Sequence, residues 1–407
     1  MQVKIGPIAF YLSEIGSGGV ERILLTLAHA LAEEGYEVDF VVGEKRGDFK
    51  FLLEGEKIQV HLLASSGYIR SRLALLRADP KLARLAPHLC FSLRFRARML
   101  WLLPSLAAYL AKRRPSVLMT ATPFCNIEAV LARQLAKVPT RLVLSEHSHL
   151  SVGVDKIQQR LRLLAPAMRH TYPQAEAVVA VSRGVAEDLV RVLGFSLEQL
   201  KVIYNPVIDQ SFRRRSLESV DHPWFREKSI PVIVAVGRIA RQKDYSTLLR
   251  AFAKLNARRP CRLVILGSGK AKVQRRLQEL ALNLGLTASV EFLGFKPNPL
   301  PYIANADLLV LSSLWEGLPT VLIEALACGT PVVSTDCPSG PAEILEGGRY
   351  GRLVPVGDAW ALAEAMAATL DHPPERELLR ERARDFDETR AIEAYQSILL
   401  GSCGVAC

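Results

Sequence analysis

The chain predicts an α/β protein built from two Rossmann-like halves, and three observations carry that reading. Short apolar runs with the character of buried parallel strands alternate with helix-period stretches along nearly the whole length. The alternation lapses into a polar, irregular stretch after Tyr204–Val207 and restarts at Pro231–Val236. Each half also contains a glycine-rich turn between a strand and a helix, Gly16–Gly19 in the first and Gly267–Gly269 in the second. With 407 residues there is room for two or three domains, each with its own core.

The first half opens with a strand at Ile8–Leu12 and a helix at Val20–Glu34, whose Ile23, Leu24, Leu27 and Leu31 share one face and which Gly35 closes. In the intervening loop Gly16 and Gly18 fit the dinucleotide fingerprint, but Glu21 stands where its third glycine belongs. A tight turn and a backbone that approaches a ligand both satisfy this pattern. Strands follow at Val38–Val42 and Ile58–Leu63, then, beyond a basic segment, at Val117–Thr120, Leu142–Leu144 and Ala177–Val181, with a helix at about Cys125–Lys137. The strand at Leu142 runs into S-E-H-S-H-L, so His147 falls at the carboxyl end of a parallel strand, the edge where open α/β sheets bind ligands. Ser182 reads as a helix cap. Residues 207–228, with Arg213–Arg215 in a row, read as a linker.

In the second half the strand Pro231–Val236 leads into G-R-I-A-R-Q-K-D-Y, placing Arg238 and Lys243 in one loop before a helix that Asp244 can cap. Two cations there suit a diphosphate, although a solvated basic loop fits as well. Strands follow at Leu263–Leu266, Val290–Leu293 and Asp307–Leu311, and Lys272 fills the third-glycine place after Gly267 and Gly269. Trp315-Glu316-Gly317 is a loop, Pro319 suits a first helical position, and Gly329 stops that helix. A strand then begins at Val332 and ends in the turn Cys337–Pro341. Glu316 and Glu324 bracket the helix start: its free N–H groups favour phosphate, while carboxylates accept hydrogen bonds from sugar hydroxyls. A ligand carrying both, such as a nucleotide-sugar, fits the combination; a dipole-stabilising acid plus a surface glutamate is the blander account.

Charge is unevenly spread. Of a net +11, residues 69–114 hold +10, from eleven Lys/Arg against the single acid Asp79. Leucines and aromatics interleave with these cations, the pattern of an interfacial amphipathic helix pair at an anionic membrane surface. The many leucines argue against nucleic acid, and a helical hairpin packed on its own domain is the alternative. Seven dispersed cysteines without a C-x-x-C pair point to reduced thiols in a cytosol-like compartment rather than a zinc site. The N-terminal apolar run is too short for a secretory signal, and the most apolar stretch, Met99–Leu110, is too short to span a bilayer and contains Pro104. These features place the chain peripherally on the inner face of the cytoplasmic membrane.

The stretch S-S-L-W-E-G-L-P-T-V-L-I-E-A-L, together with C-P-S-G-P-A-E-I-L, resembles the donor-site signature of family 4 glycosyltransferases, retaining enzymes of GT-B fold. The likeness is to members that build bacterial surface polysaccharides or lipid-linked oligosaccharides, and it weakens only over about 69–115. It implies two Rossmann-like domains whose parallel sheets face each other across a cleft. The bounds are 1–206 for the acceptor domain, with the basic insert 69–114, then the linker 207–228, 229–386 for the nucleotide-sugar domain, and 387–407 for a last helix crossing back. It further implies that Glu316 holds sugar hydroxyls, that Glu324 holds the ribose, and that backbone from Gly317 through Leu318 and Pro319 to Thr320 meets sugar and diphosphate. Arg238 and Lys243 would neutralise the diphosphate, and His147 would lie near the reacting centre. Gly18 and Gly19 would face the donor phosphates, and Gly267 and Gly294 the nucleotide.

Implied partners are a nucleotide-sugar, with UDP commonest among similar members, a lipid-linked saccharide acceptor and the membrane surface. No cofactor is implied, because the donor is a substrate. The sequence shows no His/Asp cluster and no credible D-x-D loop, so no metal is expected to be needed. A sugar-nucleotide epimerase or hydrolase of the same fold, and a non-catalytic binding subunit, remain as alternatives; two imperfect glycine fingerprints disfavour a nicotinamide enzyme.

Overall fold

The computed structural model describes residues 6–15, 19–45, 57–87, 97–152, 156–227 and 229–401. Two compact units emerge. One comprises Met1–Val181, Val185–Ile203 and Ala391–Cys407, the other Ser182–Gly184 and Tyr204–Arg390.

The first unit holds strands β1 (Ile8–Ile15), β2 (Val38–Lys45), β3 (Ile58–Leu62), β4 (Val117–Ala121), β5 (Arg141–Glu146), β6 (Ala177–Ala180) and β7 (Leu200–Val202). They form one parallel sheet in the order β3-β2-β1-β4-β5-β6-β7. Its helices are α1 (Gly19–Glu33), α2 (Tyr68–Ala78), α3 (Leu82–Leu85), α4 (Leu103–Arg113), α5 (Pro123–Ala136), α6 (Lys156–Thr171) and α7 (Arg183–Leu193). Strands buried on both faces are nearly continuous apolar runs, as in β4 and β5, because helices cover the sheet on each side. The strand order reverses between β1 and β4, which opens a crevice at their carboxyl ends.

The second unit begins with two short helices, α8 (Phe212–Ser216) and α9 (Pro223–Arg226), in the stretch 207–228 that composition reads as an irregular linker. Phe212 is buried, which explains why so polar a stretch is ordered. Next come β8 (Val232–Val236), α10 (Tyr245–Asn256), β9 (Arg262–Leu266), α11 (Ala271–Asn283), β10 (Val290–Gly294), α12 (Leu300–Ala304) and β11 (Leu308–Leu311). They are followed by α13 (Thr320–Cys328), β12 (Val332–Thr335), α14 (Pro341–Ile344), β13 (Arg352–Val354), α15 (Ala359–Asp371) and α16 (Arg376–Ala383). The parallel order is β10-β9-β8-β11-β12-β13, with its reversal between β8 and β11. A final helix, α17 (Glu388–Leu400), contributes Tyr395 and Leu399 to the first unit's core, and Arg141 donates to the carbonyls of Ile398 and Leu399.

The basic segment 69–114 divides in two rather than forming one interfacial pair. Its second half, α4, is built into the domain: Leu103, Leu106, Ala107, Tyr109 and Leu110 are buried. The helix is clamped by Asp39 of β2, which accepts from Tyr109 Oη at 2.6 Å and Arg113 Nε at 2.9 Å. Those hydrogen bonds outweigh the desolvation of a fully buried carboxylate and hold its pKa below the usual value. Residues 88–96 lie outside the described residues.

Candidate active site

In the second unit, every predicted donor-binding residue except Glu324 lies on a loop, strand end or helix start at the carboxyl edge of the sheet. Arg238 and Lys243 follow β8, Gly267 follows β9, Gly294 ends β10, and Glu316–Pro319 follow β11, with Thr320 opening α13. Backbone hydrogen bonds tie neighbouring loops together: Gly237 N to Leu266 O at 2.9 Å, Gly267 N to Gly294 O at 2.7 Å, Leu314 N to Gln242 O at 2.7 Å, and Glu316 N to Pro338 O at 2.7 Å. Gly267 has φ of 143°, and a Cβ there would stand 2.0 Å from the Gly237 carbonyl oxygen. That glycine is therefore required by loop-on-loop packing. Gly294 is also left-handed, at φ 70°, but has open space where a Cβ would go.

The two sides of the β8/β11 reversal meet in one ion pair. Lys243 Nζ lies 2.6 Å from Glu316 Oε1, with both side chains largely buried. Glu316 Oε1 also accepts from Ser313 Oγ at 2.5 Å, and Oε2 from Gln242 Nε2 at 3.3 Å. Tyr245, whose hydroxyl donates to the Gly237 carbonyl at 2.8 Å, has its pKa raised by burial and then by the Glu316 charge. Gln242, Ser313 and Tyr245 were not singled out by sequence reasoning; only their nearness to Lys243 and Glu316 in the chain hinted at them. Arg238 is exposed, and among the described residues it makes no ion pair.

Asp244 caps α10 as its position predicts, with Thr247 N 3.4 Å from Oδ1 and Thr247 Oγ1 2.5 Å from Oδ2. Helix α13 begins at Thr320, one residue later than the proline suggests, and Pro319 sits before it in an extended conformation. No side chain caps this start, so its first N–H groups point outward from an apolar helix. Gly340, at φ 95°, presses against it: a Cβ there would lie 2.5 Å from Pro319 Cδ and 3.0 Å from the Gly317 carbonyl oxygen. Ser182, read as a helix cap, donates its hydroxyl to that same carbonyl at 2.8 Å. Glu324 lies on α13, half-buried, near enough to Cys328 for its charge to raise the thiol's pKa.

In the first unit, His147 immediately follows β5, and its Nε2 lies 2.9 Å from Ser145 Oγ. Only partly open to solvent and enclosed by protein, its imidazole is pushed down to about 4, hence neutral near pH 7. His149 is buried 3.2 Å from Asp188, a structural pairing. Gly19 opens α1 with nothing within 4 Å of where a Cβ would stand, and Gly18 lies outside the described residues. Beneath this edge lies a network absent from the sequence expectations. Tyr11 Oη donates to Glu128 at 2.6 Å, while Asn126 Nδ2, at 2.7 Å, and Tyr172 donate to Glu146. Burial, only partly offset by those donors, raises Glu128 to about 8 and Glu146 to about 7.

The chain belongs to the glycosyltransferases: residues 17–210 match Glycosyltransferase Family 4 and residues 221–386 match Glycosyl transferases group 1, stretches that together take in most of its length. It is 28% identical over 398 residues to the Campylobacter jejuni N-acetylgalactosamine-N,N'-diacetylbacillosaminyl-diphospho-undecaprenol 4-alpha-N-acetylgalactosaminyltransferase, covering 97% of this chain and 99% of that one. It is 27% identical to a lipopolysaccharide core biosynthesis glycosyltransferase of Rhizobium meliloti, covering 94% and 96%. Among solved structures, an Anabaena protein in complex with UDP-glucose superposes with a TM-score of 0.75 at 22% identity, covering 97% and 99%. The fold is GT-B, two Rossmann-like domains.

Proposed function

We propose that this glycosyltransferase moves a hexose or N-acetylhexosamine, with retention, from a UDP-sugar to a lipid-linked saccharide during assembly of a cell-surface polysaccharide or glycan, working from the inner face of the cytoplasmic membrane. The observation that carries the reading is the Lys243–Glu316 pair at the β8/β11 reversal, beside the uncapped start of α13. Departure of a nucleoside diphosphate concentrates negative charge on its phosphate oxygens. Lys243, the exposed Arg238 and the first N–H groups of α13 are the groups on this unit able to stabilise it, without recourse to a metal. In this state Glu316 neutralises Lys243. A donor would shift Lys243 toward phosphate and leave the Glu316 carboxylate, still held by Ser313 and Gln242, to accept from sugar hydroxyls.

In a one-sided transfer the departing phosphate oxygen takes the acceptor hydroxyl's proton, so no separate base is assigned. His147, being neutral, serves as a hydrogen-bonding partner for sugar rather than as a proton carrier. The lipid-linked acceptor is supported by the undecaprenol diphosphate acceptors named for the Campylobacter relatives.

The test is release of UDP from a panel of UDP-sugars, with and without membrane lipid extract, for wild type, Glu316→Ala and Lys243→Ala. Lipid-dependent release from one donor, lost in both variants, is expected. Release indifferent to lipid would indicate a hydrolase or epimerase, and binding without release a non-catalytic subunit.

A further inference from the structure

Helices α2 and α3 are packed the opposite way round from α4. The side of α2 that faces α4 and α5 carries Ser71, Arg72, Ala74 and Leu75, of which only two are apolar. Its outward side carries Ile69 at 72% exposure, Leu73 at 49% and Leu76 at 41%, and α3 continues with Leu85 at 44%. Positions 69, 73 and 76 are spaced i, i+4 and i+7, so they form one continuous apolar ridge. Exposed Arg70, Arg77, Lys81 and Arg84 flank it. Helix α6, which packs on α3, adds Leu163 at 49% exposure and has no acidic residue in its sequence.

The segment's one acid is turned inward: Asp79 is buried, lies 2.6 Å from His170 Nε2 and accepts the Lys81 N–H at 3.0 Å. Arg72 is likewise unavailable, buried and stacked 4.5 Å from the Tyr68 ring centre. What faces solvent is therefore leucine, isoleucine, arginine and lysine, without a compensating carboxylate on α2, α3 or α6.

We propose that this outward face of α2 and α3 docks on an anionic lipid bilayer, the ridge Ile69–Leu73–Leu76–Leu85 entering the headgroup boundary and Arg70, Arg77, Lys81 and Arg84 pairing with lipid phosphates. The argument for a bilayer is charge complementarity combined with scattered aliphatic anchors, which suits a fluid apolar layer bounded by negative charge. It builds on the membrane-bound acceptor proposed above, and it narrows the basic segment to its first half. Each cation at such a surface is worth about fivefold in partitioning, and each leucine withdrawn about tenfold.

The experiment is sedimentation of the full chain with vesicles of phosphatidylcholine alone or mixed with phosphatidylglycerol. The wild type is expected to pellet with the mixed vesicles only, and less so as salt rises. The triple variant Arg70→Glu, Arg77→Glu, Arg84→Glu should bind at least a hundredfold more weakly, and Leu73→Ser with Leu76→Ser about a hundredfold. A control with the same change in net charge, Arg214→Glu, Arg275→Glu, Arg276→Glu on exposed positions of the second unit, should bind within a few-fold of wild type.

Equal binding by the two charge-reversed triples, or no binding by the wild type, overturns the proposal. So does a drop in molar mass by light scattering in the leucine variant with vesicle binding intact, which would assign the ridge to a second copy of the chain. UDP release with a water-soluble acceptor is measured alongside. Correct vesicle behaviour without sugar transfer would sink the proposed reaction and leave the docking face standing.

Discussion

The two units place the same architectural feature, the reversal of strand order at the carboxyl edge, in opposite electrostatic settings. In the second unit the reversal brings a lysine and a carboxylate together as an ion pair, largely buried, with exposed Arg238 on the same loop. In the first unit the carboxyls near the reversal, Glu128 and Glu146, are driven toward their protonated forms by burial, and the adjoining His147 is driven toward its neutral form. Equivalent topology thus yields a charged edge in one unit and a neutral, hydrogen-bonded edge in the other. The lesson is that the fold supplies the crevice, while the depth of the polar side chains beneath it decides whether the crevice manages ions or hydroxyl groups.

The largest break in that contrast is expected from Lys243→Ala. Loss of one preorganised group facing a developing charge lowers turnover by about 100- to 1000-fold, read as UDP release at saturating donor. Lys243→Arg should retain more activity than Lys243→Ala, because the charge survives although the geometry changes. Recovery of full activity by Lys243→Ala would remove the ion pair from the mechanism.

Next in size is the pH response of the first unit. Glu128 has its folded pKa raised to about 8 from 4.5, so the folded state holds this proton more tightly than the unfolded chain does. Its contribution to stability is full below about pH 4.5 and is lost as pH rises through about 8. Thermal melts should therefore drop between pH 5 and about pH 8.5, by an amount on the order of a few kcal/mol in stability at most. Glu128→Gln, which cannot ionise, should flatten that dependence. A wild-type melting profile indifferent to pH would show that Glu128 is not held protonated.

Arg113→Ala tests the clamp on α4. It removes two hydrogen bonds from fully buried Asp39, leaving Tyr109 and His61, and should cost about 2 kcal/mol in chemical denaturation with little change in vesicle binding.

The smallest expected effect is Gly19→Ala. Nothing of the protein lies within 4 Å of the added methyl, so stability should stay within about 0.5 kcal/mol, while the KM for donor rises if the loop backbone approaches the phosphates. An unchanged KM would reduce that glycine to a helix start.

Much of the fold was legible because its signals are local. Apolar runs such as Leu308–Leu311 can only be buried strands, Gly329 in a left-handed conformation ends α13, and Asp244 caps α10 from a position visible in the sequence. Glu316, Lys243 and Arg238 were legible as types of residue in loops. Their partners were not, because Lys243 and Glu316 are 73 residues apart and meet only because β8 and β11 are neighbours.

The basic segment was misjudged as a single device for a related reason. Residue type alone does not separate a leucine that packs inward, like Leu106, from one that faces out, like Leu73. The separation comes from Asp39, 70 residues before Tyr109, which draws α4 onto the sheet. By itself the sequence determined the α/β alternation, the two-part organisation and the inventory of charged loop residues, since periodicity and turn chemistry act over a few residues. Only the tertiary structure decided which charges pair, which carboxyls are buried away from water and which leucines remain exposed. Those outcomes depend on strand neighbours that lie far apart along the chain.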